Sequence, residues 1–285
     1  MLRSKQVTGM TGLILIIINV VFSYKGLTNN QFFEGYKFEV DKILVNKDYR
    51  RLVTSGFLHV SWGHLIFNML SLYIFSGQVE SELGTGMFLL VYFSSLFGGN
   101  LLSLMVHKNH GNYSSAGASG AICGIIFAAI ALFPGMRIGF FILPIYLPAW
   151  LYGLLFVIYS MYGIRTNRDN IGHEAHLGGA LIGMAVALLI YPSAIVDNYL
   201  PIIAILVPTL VFIYLIVSRP GFLMIHNFST GSKKNYYSID HKYNDERNRT
   251  KKEIDDILDK INRRGMNSLT DKERQRLKEY SKQAQ

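Results

Sequence analysis

Apolar runs recur along the first three quarters of the chain, and most are close to the length of a membrane-spanning helix. A helix needs roughly 20 apolar residues to cross about 30 Å of hydrocarbon. Several runs are shorter and contain Gly, Ser, His or Asn, which indicates a bundle whose helices pack closely around polar groups. The pattern predicts helices at Thr8–Tyr24, His64–Gly77 (extended if it begins near Trp62), Met87–Val106, Ser119–Phe133, Leu147–Tyr162, His176–Tyr191 and Leu200–Val217.

The segments between and after these runs differ in character. A long link at 25–58 mixes aromatic residues with charges, whereas the loops predicted at 78–85, 107–116, 163–172 and 192–199 are short. A Gly-, Ser-, Asn- and Tyr-rich linker follows at 219–248, and the segment 249–285 contains two capping-box sequences that begin at Thr250 and Thr270. A capping box marks the start of a helix. The end of the chain is therefore predicted to form a charged helical hairpin outside the membrane.

The composition indicates that the apolar part of the chain lies in a membrane and that the charged tail lies in water. Of the 285 residues 50% are hydrophobic and 16% are charged, against about 25% charged in soluble domains. Residues 1–218 contain 12 Lys/Arg and 9 Asp/Glu, whereas 219–285 contain 16 and 10. This distribution excludes a disordered protein and disfavours an ordinary soluble enzyme. Acidic and basic residues alternate in the tail, which favours a solvated helical face over a nucleic-acid-binding one.

Four polar side chains at the ends of three predicted spans are candidates for chemistry, because polar and ionisable groups inside a membrane are costly. His64 and Asn68 are four residues apart and therefore lie on one helix face. Ser119 opens the fourth span, and His176 opens the sixth. A hydroxyl nucleophile, an imidazole base and groups able to donate hydrogen bonds are the components of acyl transfer. No carboxylate is evident as a third member, so the pattern predicts a Ser–His dyad.

Glycines around the two candidate catalytic residues explain how they could meet. Gly117 and Gly120 flank the serine, so the backbone can turn sharply and leave the hydroxyl and amide unobstructed. The amide and dipole at a helix N-terminus favour an oxyanion. Small residues four apart on the fourth and sixth spans permit close helix contact, and we expect this contact to bring His176 within hydrogen-bond reach of Ser119.

In these motifs the sequence resembles the rhomboid intramembrane serine proteases. The resemblance covers roughly residues 8–192, and the order and spacing of four motifs agree. These motifs are Arg51-x-x-Thr54-x-x-Phe57-x-His59, His64-x-x-x-Asn68, Gly117-Ala118-Ser119-Gly120 and Ala175-His176-x-x-Gly179-x-x-x-Gly183. Arg50 stands where the family usually has a Trp before the first-loop Arg. Glu80 and Gly84 match a helix-end Glu and Gly of the family, to which we assign a structural role.

The resemblance implies a six-helix catalytic core at 1–192 that needs no cofactor and no metal. Ser119 would be the nucleophile and His176 the general base. His64, Asn68 and the Ser119 amide would form the oxyanion hole, and His59 would support it by hydrogen bonding. The whole chain is then an all-α polytopic membrane protein with a seventh transmembrane helix at 193–218. Its expected substrates are single-span or polytopic membrane proteins in a lipid bilayer, with no nucleic acid involved.

Two other functions compete with this hypothesis. The sequence His173-Glu-Ala-His176 superficially resembles a zinc-protease motif, but that motif needs histidines at i and i+4, and here they are at i and i+3. The second alternative is a catalytically silent rhomboid-like protein that binds client transmembrane helices as a chaperone. Such relatives are recognised by loss of the Ser or the His, and this chain has both. A transporter is disfavoured because no charged residue lies at the centre of any span.

Topology is the point at which two arguments conflict. The family orientation puts the N-terminus in the cytoplasm and opens the Ser119 cavity to the outside, in the inner membrane of a bacterial cell. The link 25–58 then faces outward although it contains six Lys/Arg, whereas basic residues usually favour the cytoplasmic side. We expect the family orientation with seven spans, which leaves the tail outside. The tail lies inside if 200–217 does not span.

Overall fold

The computed structural model describes residues 9–139, 146–166 and 171–218, together with scattered positions between 254 and 280. The predicted linker at 219–248 and the capping box at Thr250 lie outside the described residues. The chain divides into two compact units, Met1–Asn227 and Phe228–Gln285.

Helices make up most of the described part of the first unit, and each of the seven apolar runs contains helical residues. The helices are α1 Met10–Thr28, α2 Asn30–Tyr36, α3 Val40–Leu44, α4 Arg51–Thr54, α5 Trp62–His107, α6 Ser119–Leu132, α7 Ala149–Thr166, α8 His173–Ile190, α9 Ser193–Asp197 and α10 Tyr199–Ser218. Among the described residues, short strands pair antiparallel in two ladders, β1 Phe38–Glu39 with β2 Ser114–Ser115 and β3 Arg137–Gly139 with β4 Tyr146–Pro148. The prediction of an all-α polytopic membrane protein is confirmed.

Length and apolar composition make α1, α5, α8 and α10 suitable for crossing a membrane. Helix α5 contains two of the predicted spans. Its backbone leaves the helical region at Gly84 (φ 77°, ψ 162°), which lies between these spans and marks a kink. The positive φ is one that glycine adopts without steric cost. The loop predicted at 78–85 is therefore wrong: the helix continues to this single residue and resumes after it. The loop predicted at 192–199 is also wrong in part, since it contains α9.

Helix α6 forms the centre of the first unit. Twelve of its 14 residues are buried, and a helix that is apolar on every side belongs inside a bundle. Its 14 residues span about 21 Å at a rise of about 1.5 Å per residue, which is less than the thickness of the hydrocarbon. Helix α6 is thus apolar but shorter than a helix that crosses a membrane.

Glu80 fixes the start of α1 against α5. Its carboxylate accepts hydrogen bonds from the backbone N–H groups of Thr11 (3.2 Å) and Gly12 (3.3 Å). A carboxylate at a helix N-terminus satisfies amides that have no partner within the helix and complements the helix dipole. A β-carbon at Gly12 would overlap the side chain of Ser76, so the two helices touch there. Glu80 has the structural role expected from the sequence.

The long link at 25–58 is folded against the segment that precedes Ser119. The guanidinium of Arg51 is buried and donates to the carbonyls of Glu34 (2.9 Å) and Lys37 (2.7 Å) and to Asp48 (2.9 Å). Strand β1 within this link pairs with β2, four residues before Ser119. Arg51 thus anchors the link although Arg50 precedes it, and the link supports the serine loop.

The second unit has a small apolar core of its own. Ile254, Ile257 and Leu269 are buried together. The capping box predicted at Thr270 forms: Thr270 N–H donates to Glu273 Oε2 (2.7 Å), and Glu273 N–H donates to Thr270 Oγ1 (3.4 Å). Hydrogen bonds from Lys260 and Thr270 lower the pKa of Glu273 to about 2.

Candidate active site

Ser119 and His176 meet at the start of two neighbouring helices. Ser119 is the first residue of α6, and His176 lies in the first turn of α8. The Ser119 Oγ–His176 Nε2 distance is 2.6 Å, which is within the range that a general base needs to take a proton from a hydroxyl. Both side chains are half-buried, so the pair is not sealed from water.

Glycines let α6 and α8 approach closely enough for this pair to form. A β-carbon at Gly179 would overlap the carbonyl of Gly120, and one at Gly183 would overlap the backbone of Gly124. Two helix backbones in contact require small residues at the interface. The close packing of these helices, predicted from the glycine spacing, is confirmed.

His64 lies beside the serine. Its ring packs on Gly117, where a β-carbon would lie 2.8 Å from His64 Cε1 and 3.6 Å from Ser119 Oγ. The φ of Gly117 is +152°, a conformation that residues with a side chain rarely adopt, so both the backbone and the neighbouring imidazole require glycine at this position. The structure therefore brings His64 and Gly117 to the candidate nucleophile.

Asn68 lies one helical turn below His64 and is 4% exposed. Its Nδ2 donates to the His64 carbonyl at 2.9 Å. An amide NH₂ carries two N–H groups, and this bond uses one of them. The bond to the His64 carbonyl leaves the second N–H of this amide unused by it.

His59 is buried immediately below the serine loop. The Ala118 N–H donates to His59 Nε2 at 3.4 Å, and His59 Nδ1 lies 2.8 Å from Ser23 Oγ. Burial, with a smaller contribution from the neighbouring His64, lowers the pKa of His59 to about 3. The ring is therefore neutral at physiological pH and orients the loop without carrying charge.

The carbonyl of Ser55 accepts the Gly117 N–H at 3.0 Å. Asn100 on α5 in turn donates to the Leu52 carbonyl (2.8 Å) and to the Ser55 hydroxyl (3.1 Å). The backbone on both sides of Gly117 is thus held by residues 55 and 59, which the chain supplies some 60 residues earlier.

The structure gives some further residues positions that were not predicted from the sequence. His173, which lies between the predicted loop at 163–172 and the helix predicted from His176, is the buried first residue of α8, and its ring stands 5.1 Å from that of Tyr159. Phe156 lies 6.0 Å from the His176 ring, between ring centroids. Ser23 is not among the residues predicted from the sequence, although a polar residue inside an apolar run is a signal that could have identified it.

The histidines do not assemble a metal centre within the described ranges. No group of three or more His, Cys, Asp or Glu side chains there is arranged to hold a metal ion. His107 Nε2 and Glu174 Oε1 are 3.2 Å apart and form a pair at the ends of α5 and α8. His110 is exposed on the loop between α5 and α6.

Two family descriptions match the chain. A rhomboid domain matches residues 46–193, and a family of unknown function (DUF6576) matches residues 237–283. The first match includes the five candidate polar residues from His59 to His176, and it begins after α1. The second falls in the charged tail.

Individual proteins support the first match. The chain is 31% identical over 156 residues to Rhomboid protein 1, mitochondrial, of Saccharomyces cerevisiae, covering 52% of this chain and 45% of that protein. It is 33% identical over 161 residues to Rhomboid-like protein 11, chloroplastic, of Arabidopsis thaliana (52% and 55%). It is 29% identical over 170 residues to Rhomboid protease GluP of Bacillus subtilis (59% and 32%). The chain thus spans about half or less of the length of these relatives.

Proposed function

The chain belongs to the rhomboid family, and on that premise we propose that it is an intramembrane serine endopeptidase that cleaves transmembrane segments of membrane proteins with a Ser–His dyad. The observation that carries the proposal is the 2.6 Å approach of Ser119 Oγ to His176 Nε2. The family contains at least one relative named as a protease, GluP of Bacillus subtilis.

The chemistry follows from the arrangement of the two helix starts. The Ser119 hydroxyl attacks the scissile carbonyl carbon while His176 Nε2 takes its proton, and the tetrahedral intermediate collapses as the imidazolium protonates the leaving amine. Water then attacks the acyl-enzyme, with His176 again as the base. No cofactor and no metal enters these steps.

The negative charge that develops on the substrate oxygen is stabilised by donors around Ser119. The backbone N–H of Ser119, at the N-terminus of α6, lies where the helix dipole favours an anion. His64, packed beside Gly117, and the second N–H of Asn68 are the side-chain donors we assign. Gly117 and Gly120 support the site by permitting the turn and the contact with α8.

The substrate class follows from the depth of the site. Helix α6 is too short to reach both faces of a bilayer, and its apolar surroundings are those of a membrane interior. A scissile carbonyl within a helix is hydrogen-bonded and shielded by its own backbone, so the segment must unwind locally before attack. We therefore expect small or helix-breaking residues near the cut. We also propose that the protein lies in the cell (inner) membrane of a bacterium. One bacterial relative, GluP of Bacillus subtilis, supports this assignment, whereas the relatives from yeast and Arabidopsis are named as mitochondrial and chloroplastic.

Purified wild-type protein in detergent is expected to cleave a generic transmembrane substrate and to react with a serine-directed fluorophosphonate, whereas Ser119→Ala does neither. The measurements are gel-resolved cleavage and probe labelling on matched preparations. Cleavage that persists in Ser119→Ala would refute the mechanism. Full inhibition by a chelator with insensitivity to the probe would favour a metalloprotease, and labelling of the wild type without cleavage of any client would favour the chaperone.

We also propose four segments: a six-span core at 1–192, a seventh transmembrane helix at 193–218, a linker at 219–248 and a charged hairpin at 249–285. The length of α10 and its exposed apolar side chains, among them Leu200, Val207 and Leu210, support a lipid-facing helix. In the family orientation, seven crossings place residue 285 opposite to the cytoplasm.

Paired reporter fusions test this topology. A reporter active only in the cytoplasm should be active when fused after Pro192 and silent when fused after Gln285, and a reporter active only outside should give the reverse pattern. Cytoplasmic activity at both positions would contradict the seven-span arrangement.

A further inference from the structure

A line of hydrogen bonds runs from the first transmembrane helix to the serine loop. Ser23 on α1 is fully buried, and its hydroxyl oxygen is 3.0 Å from the Phe57 carbonyl and 2.8 Å from His59 Nδ1. The other ring nitrogen of His59, Nε2, accepts the Ala118 N–H at 3.4 Å. Ser23 is thus connected through one imidazole to the residue that directly precedes Ser119.

The donor and acceptor chemistry of the four groups determines which group donates each hydrogen bond. The Phe57 carbonyl can only accept, so the Ser23 O–H donates to it, and the Ser23 oxygen is then available to accept from His59 Nδ1. The Ala118 amide can only donate, so His59 Nε2 must be unprotonated. A neutral imidazole carries its single proton on Nδ1, and every group in the line has one consistent role.

The position of Ser23 is itself held by contacts of the part of α1 that precedes it. Toward the N-terminus, α1 is attached to α5 by the Glu80 carboxylate and by the contact of Gly12 with Ser76. Between these points Asn19 Nδ2 donates to the Tyr92 hydroxyl at 3.4 Å. The Ser23 hydroxyl is therefore presented to His59 by a helix that is anchored to α5 at several points before Ser23.

We propose that Ser23 is a positioning residue for the peptidase reaction: its hydroxyl holds His59 in the Nδ1–H tautomer, and His59 Nε2 thereby fixes the peptide unit that leads into Ser119. The inference rests on the proposed function and extends it to a residue that lies outside the matched rhomboid domain. Ser23 itself does not touch the substrate.

Loss of the hydroxyl should disturb chemistry more than binding. Ser23→Ala leaves the Nδ1–H without an acceptor, so His59 can change its tautomer or tilt, and the turn before Ser119 loses its fixed orientation. Misplacing reacting groups by about 1 Å costs on the order of 10²-fold in rate. We expect a fall in kcat on the order of 10- to 100-fold on this basis, with KM unchanged.

A matched pair of variants separates the effect of losing the Ser23 hydroxyl from the effect of changing the packing around it. Ser23→Thr and Ser23→Val both place a β-branched side chain of nearly the same shape on α1, but only Thr keeps the hydroxyl. The kcat and the rate of fluorophosphonate labelling should therefore be higher in the Thr variant than in the Val variant. Ser160 on α7 is also fully buried, and within the described residues its hydroxyl has no hydrogen-bond partner. Ser160→Ala is therefore the control, with kcat expected to remain at the wild-type value.

Nuclear magnetic resonance of ¹⁵N-histidine-labelled protein tests the same line without using activity. The His59 signals, identified by their absence in His59→Gln, should report the neutral Nδ1–H tautomer in the wild type and in Ser23→Thr, and a changed pattern in Ser23→Ala. A wild-type Nε2–H tautomer, or equal kcat in the Thr and Val variants of an active protein, would overturn the inference. A wild type that shows the Nδ1–H tautomer but cleaves nothing would instead refute the proposed function alone.

Discussion

Ser119→Ala and His176→Ala are each expected to reduce turnover of a transmembrane substrate on the order of 10⁶-fold, as loss of the nucleophile or base does in serine hydrolases. The double variant should be no slower than either single variant. The reason is that the 2.6 Å pair acts as a unit: without the imidazole the hydroxyl is not deprotonated, and without the hydroxyl the imidazole has no nucleophile to activate. Single-turnover cleavage in detergent measures the effect.

Two controls make this result specific to the dyad. His110→Ala removes an exposed imidazole from the loop between α5 and α6, and Ser160→Ala removes a buried hydroxyl from α7. Both should cleave at the wild-type rate. Additive losses in the double variant, or a well-folded His176→Ala that retains substantial turnover, would show that a different group is the base.

His64→Ala is expected to lower kcat on the order of 10²- to 10³-fold, the usual effect of removing one oxyanion donor. Asn68→Ala should be less damaging, because one of its two N–H groups is already bonded to the His64 carbonyl. The remaining donors, above all the Ser119 amide at the start of α6, still stabilise the charge. Rates of cleavage and of fluorophosphonate labelling should fall in parallel.

Ser71→Ala provides the control for this helix. Ser71 is on α5, and its hydroxyl bonds to the Phe67 carbonyl within the same helix at 2.9 Å. Its removal should leave kcat at the wild-type value. If Asn68→Ala were as inactive as Ser119→Ala while its thermal unfolding remained normal, the role assigned to Asn68 would be wrong.

Spacing within single helices and short motifs could be interpreted without coordinates. His64 and Asn68 were expected on one helix face because four residues make about one turn, and the structure places them one turn apart. The glycine pairs on the fourth and sixth spans predicted a close crossing for the same reason, and Gly179 does touch Gly120.

Boundaries were less predictable, because apolar runs do not mark where a helix ends. The predicted loop at 78–85 is wrong since a single glycine interrupts α5 while the flanking polar residues stay helical. The sixth helix was predicted to begin at His176, yet α8 begins at His173, which is buried against Tyr159. Polar residues at a span end are compatible with either state, and only packing against a neighbouring helix decides between them.

The sequence by itself determined that this is a multi-pass helical membrane protein of the rhomboid family, and it indicated Ser119 and His176 as the candidate dyad. Hydrophobic length and motif spacing are local properties that the chain carries before it folds. The tertiary structure decided which distant groups meet: the 2.6 Å dyad across 57 residues, and the bond of Ser23 to His59 across 36. Such contacts depend on how helices cross and rotate against one another, which is fixed by packing of the whole bundle and by no single segment.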